Sequence, residues 1–76
     1  IYPNPAKDFA SIRFNQIYKS ITMQLIDING KEVINETIFN SSETTINTSN
    51  LIEGTYFVNI INENKILATK KIIKIN

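Results

Sequence analysis

Apolar and polar residues alternate along most of this chain, which is the pattern of β-strands with one buried face. In the strongest segment, Tyr56, Val58 and Ile60 fall on one face and indicate a core. No stretch has the 3.6-residue period of a helix. The predicted strands are residues 9–14, 20–28, 31–39, 55–61 and 66–75, with a short edge strand and a loop in the polar stretch 40–50. Six or seven strands with turns at short intervals predict a small, all-β, antiparallel sandwich.

A β-hairpin is predicted around Asn29-Gly30, in one of two registers. A two-residue turn sets Asp27 opposite Glu32, where two like charges face each other. A three-residue loop with Gly30 in a left-handed bulge sets opposite charges across the turn instead, so the charges favour it. The pairs that this second register predicts are Asp27 with Lys31 and Leu25 with Val33.

Residues 1–8 precede the first predicted strand and contain Tyr2-Pro3-Asn4-Pro5-Ala6. Two prolines around one residue hold the backbone near polyproline II and remove two amide donors. We therefore expect a stiff lead-in over residues 1–8 and one β-sandwich over residues 9–76. We also expect the chain to be excised from a larger secreted protein, since its first residues resemble the middle of a chain.

The composition argues against several kinds of catalytic site, metal site and binding partner. The 76 residues include no cysteine and no histidine, so nucleophilic catalysis lacks its usual base and zinc lacks its usual ligands. A net charge of +1 argues against nucleic acid as a partner. No apolar run approaches the ~18 residues that a membrane span requires. We expect no cofactor, no metal and no membrane span.

The acidic residues do not form a catalytic pair. Glu32 and Glu36 share a strand face but lie about 13 Å apart, at ~3.3 Å per residue, whereas paired catalytic carboxylates lie ~5–9.5 Å apart. Asp27-Ile28-Asn29-Gly30 begins like a calcium loop, but a strand follows where further oxygen ligands are needed. An aspartate that caps its own turn is the favoured interpretation. We expect no enzymatic activity.

The last predicted strand mixes lysines into an apolar segment, Thr69-Lys70-Lys71-Ile72-Ile73-Lys74-Ile75-Asn76. One interpretation is an edge strand that its lysines protect against pairing with other chains. The other is an address, read by a receptor through exposed charges or by strand addition. Composition alone does not decide between the two.

Three blocks in a fixed order resemble a known family. They are Tyr2-Pro3-Asn4-Pro5-Ala6, then Leu25-Ile26-Asp27-Ile28-Asn29-Gly30-Lys31-Glu32-Val33, then Leu51-Ile52-Glu53-Gly54-Thr55-Tyr56-Phe57-Val58 before a lysine- and isoleucine-rich end. Their order and spacing are similar to those of the type A C-terminal sorting domain of the type IX (Por) secretion system. The resemblance covers essentially the whole chain.

The resemblance implies an immunoglobulin-like β-sandwich and a delivery function. Proteins of this family cross the inner membrane, fold in the periplasm and are directed through the outer membrane to the cell surface or medium. The implied partners are the type IX translocon, its shuttle proteins, a sortase-like surface peptidase that removes the domain, and an upstream cargo domain. The residues that match the family motif are Pro3, Asn4, Pro5, Asp27, Gly30, Gly54 and Tyr56. Those that match the terminal recognition segment are Lys70, Lys71, Ile72, Ile73, Lys74 and Ile75.

Two other functions stay open beside sorting. A carbohydrate-binding or adhesive module of a secreted enzyme would use the three tyrosines and four phenylalanines as a stacking platform, although the lack of tryptophan weakens this hypothesis. A structural spacer would have no partner at all. A weak homodimer through an edge strand is a further expectation, provided that the final strand is open to pairing.

Overall fold

The computed structural model describes residue 2 and residues 5–76, and these form one antiparallel sheet. Its strands are β1 (Phe9–Asp27), β2 (Glu32–Asn47), β3 (Gly54–Asn62) and β4 (Lys65–Lys74). Their spatial order is β2-β1-β3-β4, so that β2 and β4 are the two edges. The all-β class is confirmed, and the described residues contain no helix.

The described part of the chain contains four long strands instead of six or seven short ones, because two strands continue through predicted breaks. β1 joins the predicted strands 9–14 and 20–28. β2 joins 31–39 to residues 40–47, so the edge strand predicted in the stretch 40–50 is longer than expected and the loop there is reduced to residues 48–50. Pairing with the first half of β1 holds this polar stretch extended, and a shift of register between Arg13 and Tyr18 interrupts the ladder midway.

One hydrophobic core joins both halves of β1 to the rest of the sheet. Tyr56, Val58 and Ile60 of β3 are buried on one face, as the alternation predicted. Ala10 and Ile12 from the first half of β1 belong to the same cluster, although that half pairs in the ladder only with β2. The sheet therefore curls over itself. The cluster comprises Ala6, Ala10, Ile12, Ile21, Met23, Leu25, Ile46, Tyr56, Val58, Ile60 and Ile72.

The first hairpin has the three-residue loop that the charges favoured. The Asp27 amide donates to the Lys31 carbonyl at 2.9 Å, and Gly30 is left-handed at φ +84°. The prediction that Leu25 faces Val33 was wrong, because Leu25 pairs with Ile34. A register shift beside Leu25 leaves Val33 as an extra residue on β2.

The lead-in is bound to two strands. Tyr2 forms an antiparallel bridge to Ser11 of β1, and Ala6 forms a parallel bridge to Lys74 of β4. Four residue steps separate Tyr2 from Ala6, which is at most about 14 Å of extended chain. The first half of β1 therefore lies beside the end of β4. Pro5 is exposed, and the motif residues Pro3 and Asn4 lie outside the described residues.

Candidate functional site

The terminal segment 70–75 is half core and half surface. Ile72 is 1% exposed and packs in the hydrophobic cluster, while Lys74 is 3% exposed. Lys70, Lys71, Ile73 and Ile75 are exposed, on the two faces of the strand and beyond its end. A receptor can therefore read only part of this segment while the domain is folded.

The end of β4 is fastened to the lead-in by backbone hydrogen bonds. The Ala6 amide donates to the Ile73 carbonyl at 2.7 Å, and the Ile75 amide donates to the Ala6 carbonyl at 2.8 Å. Ala6 itself is fully buried. The terminal segment is thus a fixed strand end in a defined register and not a loose tail.

A side-chain clamp strengthens the same junction. The Lys74 ammonium donates to the Lys7 carbonyl, and the Thr48 hydroxyl donates to the same oxygen at 3.3 Å. The Thr48 amide donates to the Asp8 carbonyl at 2.9 Å. Thr48 is buried. Its role could not be predicted from the sequence, because it lies in a polar run whose pairing depends on the folded sheet.

A chain of side-chain hydrogen bonds crosses the outer face of all four strands. We call it the amide chain, and every donor in it points toward Glu32 on β2. Its bonds are Thr69 Oγ1 to Asn59 Oδ1 (2.7 Å), Asn59 Nδ2 to Gln24 Oε1 (3.0 Å), Gln24 Nε2 to Glu32 Oε1 (3.2 Å) and Asn35 Nδ2 to Glu32 Oε1 (2.6 Å). The amide chain fixes the register of β4 against the sheet, because a shift by one residue would reverse the faces of its members.

The Glu32 carboxylate is the final acceptor of the amide chain. Hydrogen bonds from Asn35 and from Gln24 lower the pKa of Glu32 below its ordinary value of 4.5, because they stabilise the charged form. The residue is exposed, so water screens its other interactions. In the sequence, Glu32 stood out as a charge opposite Asp27 in one hairpin register and as a candidate partner of Glu36, and no local pattern indicated the amide chain.

The described motif residues of the turns shape the backbone. Asp27 Oδ1 accepts the amides of Asn29 and Lys31, each at 2.9 Å, so the aspartate caps its own turn. Gly30 at φ +84° and Gly54 at φ +155° occupy conformations that L side chains rarely adopt. No neighbouring atom lies where a Cβ would be placed, so the requirement for glycine is purely conformational.

Tyr56 begins the buried face of β3. Its ring lies in the core, and its hydroxyl donates to the Ile52 carbonyl at 2.5 Å. This bond fixes the segment that enters β3 over the end of the core. Tyr56 is therefore placed to define the fold and is not available as a binding platform.

The described residues show neither a metal-ligand cluster nor an apolar helix. No group of three or more carboxylate side chains lies close enough together to hold an ion within residues 2 and 5–76. None of the described segments forms a helix long and apolar enough to cross a membrane. Arg13 and Glu43 form an ion pair at 3.3 Å on the exposed surface.

Comparison with known proteins agrees with the resemblance seen in the sequence. Curated protein sequences gave no significant match. The family model described as "Secretion system C-terminal sorting domain" matches residues 1–76, the whole chain. The chain therefore belongs to the Por_Secre_tail family, and it is a C-terminal sorting domain of the type IX secretion system.

Proposed function

We propose that the secretion machinery recognises this sorting domain at the exposed positions of β4 and of the residues that follow it. The observation that carries the proposal is the fixed geometry of the strand end. Ile72 and Lys74 are buried and anchor the segment, while Lys70, Lys71, Ile73 and Ile75 around them are exposed in a fixed register. A signal held in this way is presented before binding, so little ordering entropy is lost when a receptor binds it.

Membership of the sorting-domain family supports a proposal for the route of the protein. The domain directs an upstream cargo domain through the periplasm and across the outer membrane, with the type IX translocon and its shuttle proteins as partners. The cargo then reaches the cell surface or the medium. The lack of cysteine suits this route, because an oxidising compartment gives a stray thiol unwanted partners.

A sortase-like peptidase removes the domain by a cut on the cargo side of Ala6. Two observations support this placement. Ala6 is fully buried and hydrogen-bonded to β4 on both its amide and its carbonyl. The Lys7 carbonyl is held by two side chains. A protease needs an extended, accessible backbone, so residues 6–8 resist cleavage while the domain is folded.

The fold is an immunoglobulin-like sandwich in which long bent strands serve both layers. The curled sheet supports this proposal, because the first half of β1 shares one core with β3 and β4. The hydrogen bond from the Tyr56 hydroxyl to a carbonyl four residues upstream is a second support. Such a bond, called a tyrosine corner, is a hallmark of immunoglobulin-like domains.

The carbohydrate-binding alternative has less support than sorting. The family match favours a sorting signal. Tyr56 is in the core, and Phe14 and Tyr18 meet edge to face, with ring planes at 90° and centroids 5.9 Å apart. Neither arrangement gives the flat, exposed aromatic platform that stacks on a sugar. No described feature favours the spacer hypothesis over sorting.

The test is export of a reporter fused upstream of this domain, in a host that has a type IX apparatus. We expect the fusion to reach the surface or the medium. A Lys70→Glu/Lys71→Glu variant should remain in the periplasm in a folded state, since both exposed lysines of segment 70–75 are reversed in charge. Lys31→Glu/Lys65→Glu is the matched control, with the same charge change outside segment 70–75, and it should be exported. Normal export of the first variant, or retention of the unaltered fusion, would refute the proposal.

A further inference from the structure

A cleft of about 340 Å³ opens between the bend of β1 and the outer edge of β4. Its floor is apolar and includes Phe14, Ile60 and Ala68. Its rim carries two cations, Arg13 and Lys70. The cleft thus adjoins the first residue of the terminal segment 70–75, and none of the described residues that line it is acidic.

Both walls of the cleft are strand edges with outward-facing backbone groups. Ser11 exchanges two hydrogen bonds with Tyr2, at 2.9 and 2.6 Å, so its amide and carbonyl face away from β2. Arg13, two residues along β1, faces the same way because backbone direction repeats every second residue. On β4 the Ile73 carbonyl faces away from β3 toward Ala6, and the same repeat turns the backbone groups of Thr69 outward.

The lead-in already occupies one end of this cleft. It runs antiparallel to β1 at Ser11 and parallel to β4 at Lys74. Beyond these bridges, no described segment lies between the bend of β1 and the stretch of β4 around Ala68. An extended segment placed there would run in the same direction as the lead-in and would complete hydrogen bonds to both walls.

The β-bulge of β4 adds an apolar wall to the cleft. The register of β3 and β4 shifts between Ile60 and Ile61, which leaves Leu67 without a partner on β3. Leu67 is about half exposed and lines the cleft. An apolar side chain inserted beside Ala68 would therefore contact Leu67 and Phe14 and would be removed from water on several sides.

The charge at the rim of the cleft determines which kind of side chain a bound segment needs there. Arg13 is already paired with Glu43. Lys70 has no acidic partner among the described residues. Ala68 and Lys70 are two residues apart, so their side chains lie on one face of β4. An occupant parallel to β4 would meet Ala68 with one inward side chain and Lys70 with the next.

We propose that this cleft is a strand-addition site for an extended peptide of a protein partner, with an apolar residue followed two positions later by a carboxylate. The apolar side chain packs on the floor beside Ala68, and the carboxylate pairs with Lys70. The backbone of the peptide bonds to the edges of β1 and β4, as in other β-augmentation complexes. The proposal rests on the sorting function above and names the chemistry that reads Lys70.

The first experiment measures binding of synthetic ten-residue peptides to the purified chain. The probe has leucine two positions before glutamate in a threonine and serine background, with both termini blocked. We expect saturable binding below about 1 mM, with changes in the amide NMR signals of Arg13, Asn15 and Thr69. Three control peptides should bind at least about tenfold more weakly, because each removes one element of the match. They carry lysine for glutamate, serine for leucine, or the two residues in reverse order.

Two variants of the chain locate the site. Lys70→Glu should weaken binding of the probe at least about tenfold and should improve binding of the lysine peptide, since the charge that faces the charged residue of the peptide is reversed. Lys65→Glu is the matched control, because it lies on β4 about 16 Å away at ~3.3 Å per residue, beyond the Debye length of ~8 Å in physiological salt. It should leave both affinities unchanged.

Several results would overturn the proposal. One is no binding by any peptide, and another is equal binding of the glutamate and lysine peptides. A chain that self-associates until Lys70→Glu disperses it would assign the cleft to a second copy. Loss of probe binding when a cargo is fused upstream would assign the cleft to the chain's own preceding segment.

Export separates this proposal from the sorting function on which it rests. If Lys70→Glu alone abolishes probe binding but is exported normally, the cleft is not read during sorting, and the sorting function still stands. If the unaltered fusion is not exported at all, the proposed sorting function fails, whatever the peptides do.

Discussion

At the scale of single residues, Lys74 shows how the register of a strand decides which side chains are buried. Hydropathy suggests that Ile73 and Ile75 point into the core and that Lys74 points out. The strand has the opposite phase, because Ile72 opposite Tyr56 fills the core, and Lys74 follows on the same face. Lys74 is therefore a buried cation, with no carboxylate beside it in the part of the chain that the structure describes.

Replacing Lys74 by methionine should raise the free energy of unfolding by about 1 kcal/mol. The change removes a desolvation penalty of several kcal/mol per buried ion and loses a charged hydrogen bond of ~1.5–3 kcal/mol. The Lys7 carbonyl keeps its bond from Thr48. Urea denaturation measures the difference, and the exposed Lys65→Met is the control, expected within about 0.5 kcal/mol of the unaltered chain. A clear loss of stability in Lys74→Met would show that the clamp outweighs the penalty.

Glu32 should make stability fall in acid. Its pKa is lowered in the folded state, so folding favours the carboxylate over the acid. The contribution is present above the ordinary pKa of 4.5 and is lost as pH falls through the lower folded value. Unfolding by urea over a series of acidic pH values should show a shallower pH dependence for Glu32→Gln. Glu36→Gln, on the same strand but outside the amide chain, is the control, and an equal flattening there would refute the assignment.

At the scale of elements, local signals predicted turns, and long-range pairing decided the strands. The loop at Gly30 follows from Asp27 and glycine alone, because both act within five residues. The strand character of residues 43–47 comes from pairing with the first half of β1, which lies thirty or more residues away in the chain. A polar stretch with Ile46 as its one strongly apolar residue gives no local sign of this. The amide chain was equally hidden, because its members meet only once the register is set.

The lead-in and β4 should loosen together when one backbone donor is removed. Ala6→Pro deletes the amide that donates to the Ile73 carbonyl, and a lost hydrogen bond of this kind costs about 1–3 kcal/mol when the acceptor is left unsatisfied. Hydrogen exchange at the Ile75 amide, which donates to Ala6, should accelerate at least about tenfold. The Val58 amide in the core should change less.

Lys7→Ala is the control for this experiment, because it removes an exposed side chain and keeps the carbonyl that Lys74 binds. Exchange at Ile75 should stay slow in this variant. Equal acceleration at Ile75 and Val58 in Ala6→Pro would mean that the lead-in and β4 have no local opening and unfold only with the whole domain.

At the scale of the whole molecule, the first and last segments of the chain are joined to each other by hydrogen bonds. The lead-in binds β4 near its end, and β4 contributes Ile72 to the core. The sequence predicted both segments separately but not their contact, since nothing local relates residue 6 to residue 74. The consequence is that the terminal segment cannot be deleted as if it were a detachable tail.

Deleting residues 69–76 should unfold the domain. The deletion removes six of the residue pairs between β3 and β4, from Asn59 with Thr69 to Gly54 with Lys74, and both bonds to Ala6. Loss of the buried Ile72 side chain alone costs about 2–5 kcal/mol, and a domain of this size has only ~4–11 kcal/mol of stability. The amide NMR spectrum of the deletion variant should collapse to unfolded dispersion. A variant lacking only the exposed Asn76 should keep a folded spectrum.

This outcome determines how export experiments on the domain must be interpreted. A fusion that lacks residues 69–76 and stays in the periplasm would report unfolding, whether or not a receptor reads β4. Substitutions at exposed positions such as Lys70 preserve Ile72 and the Ala6 junction, so they isolate recognition from folding. If the deletion variant instead gives a dispersed spectrum, the core does not depend on the end of β4. Export of the deletion variant would then test recognition directly.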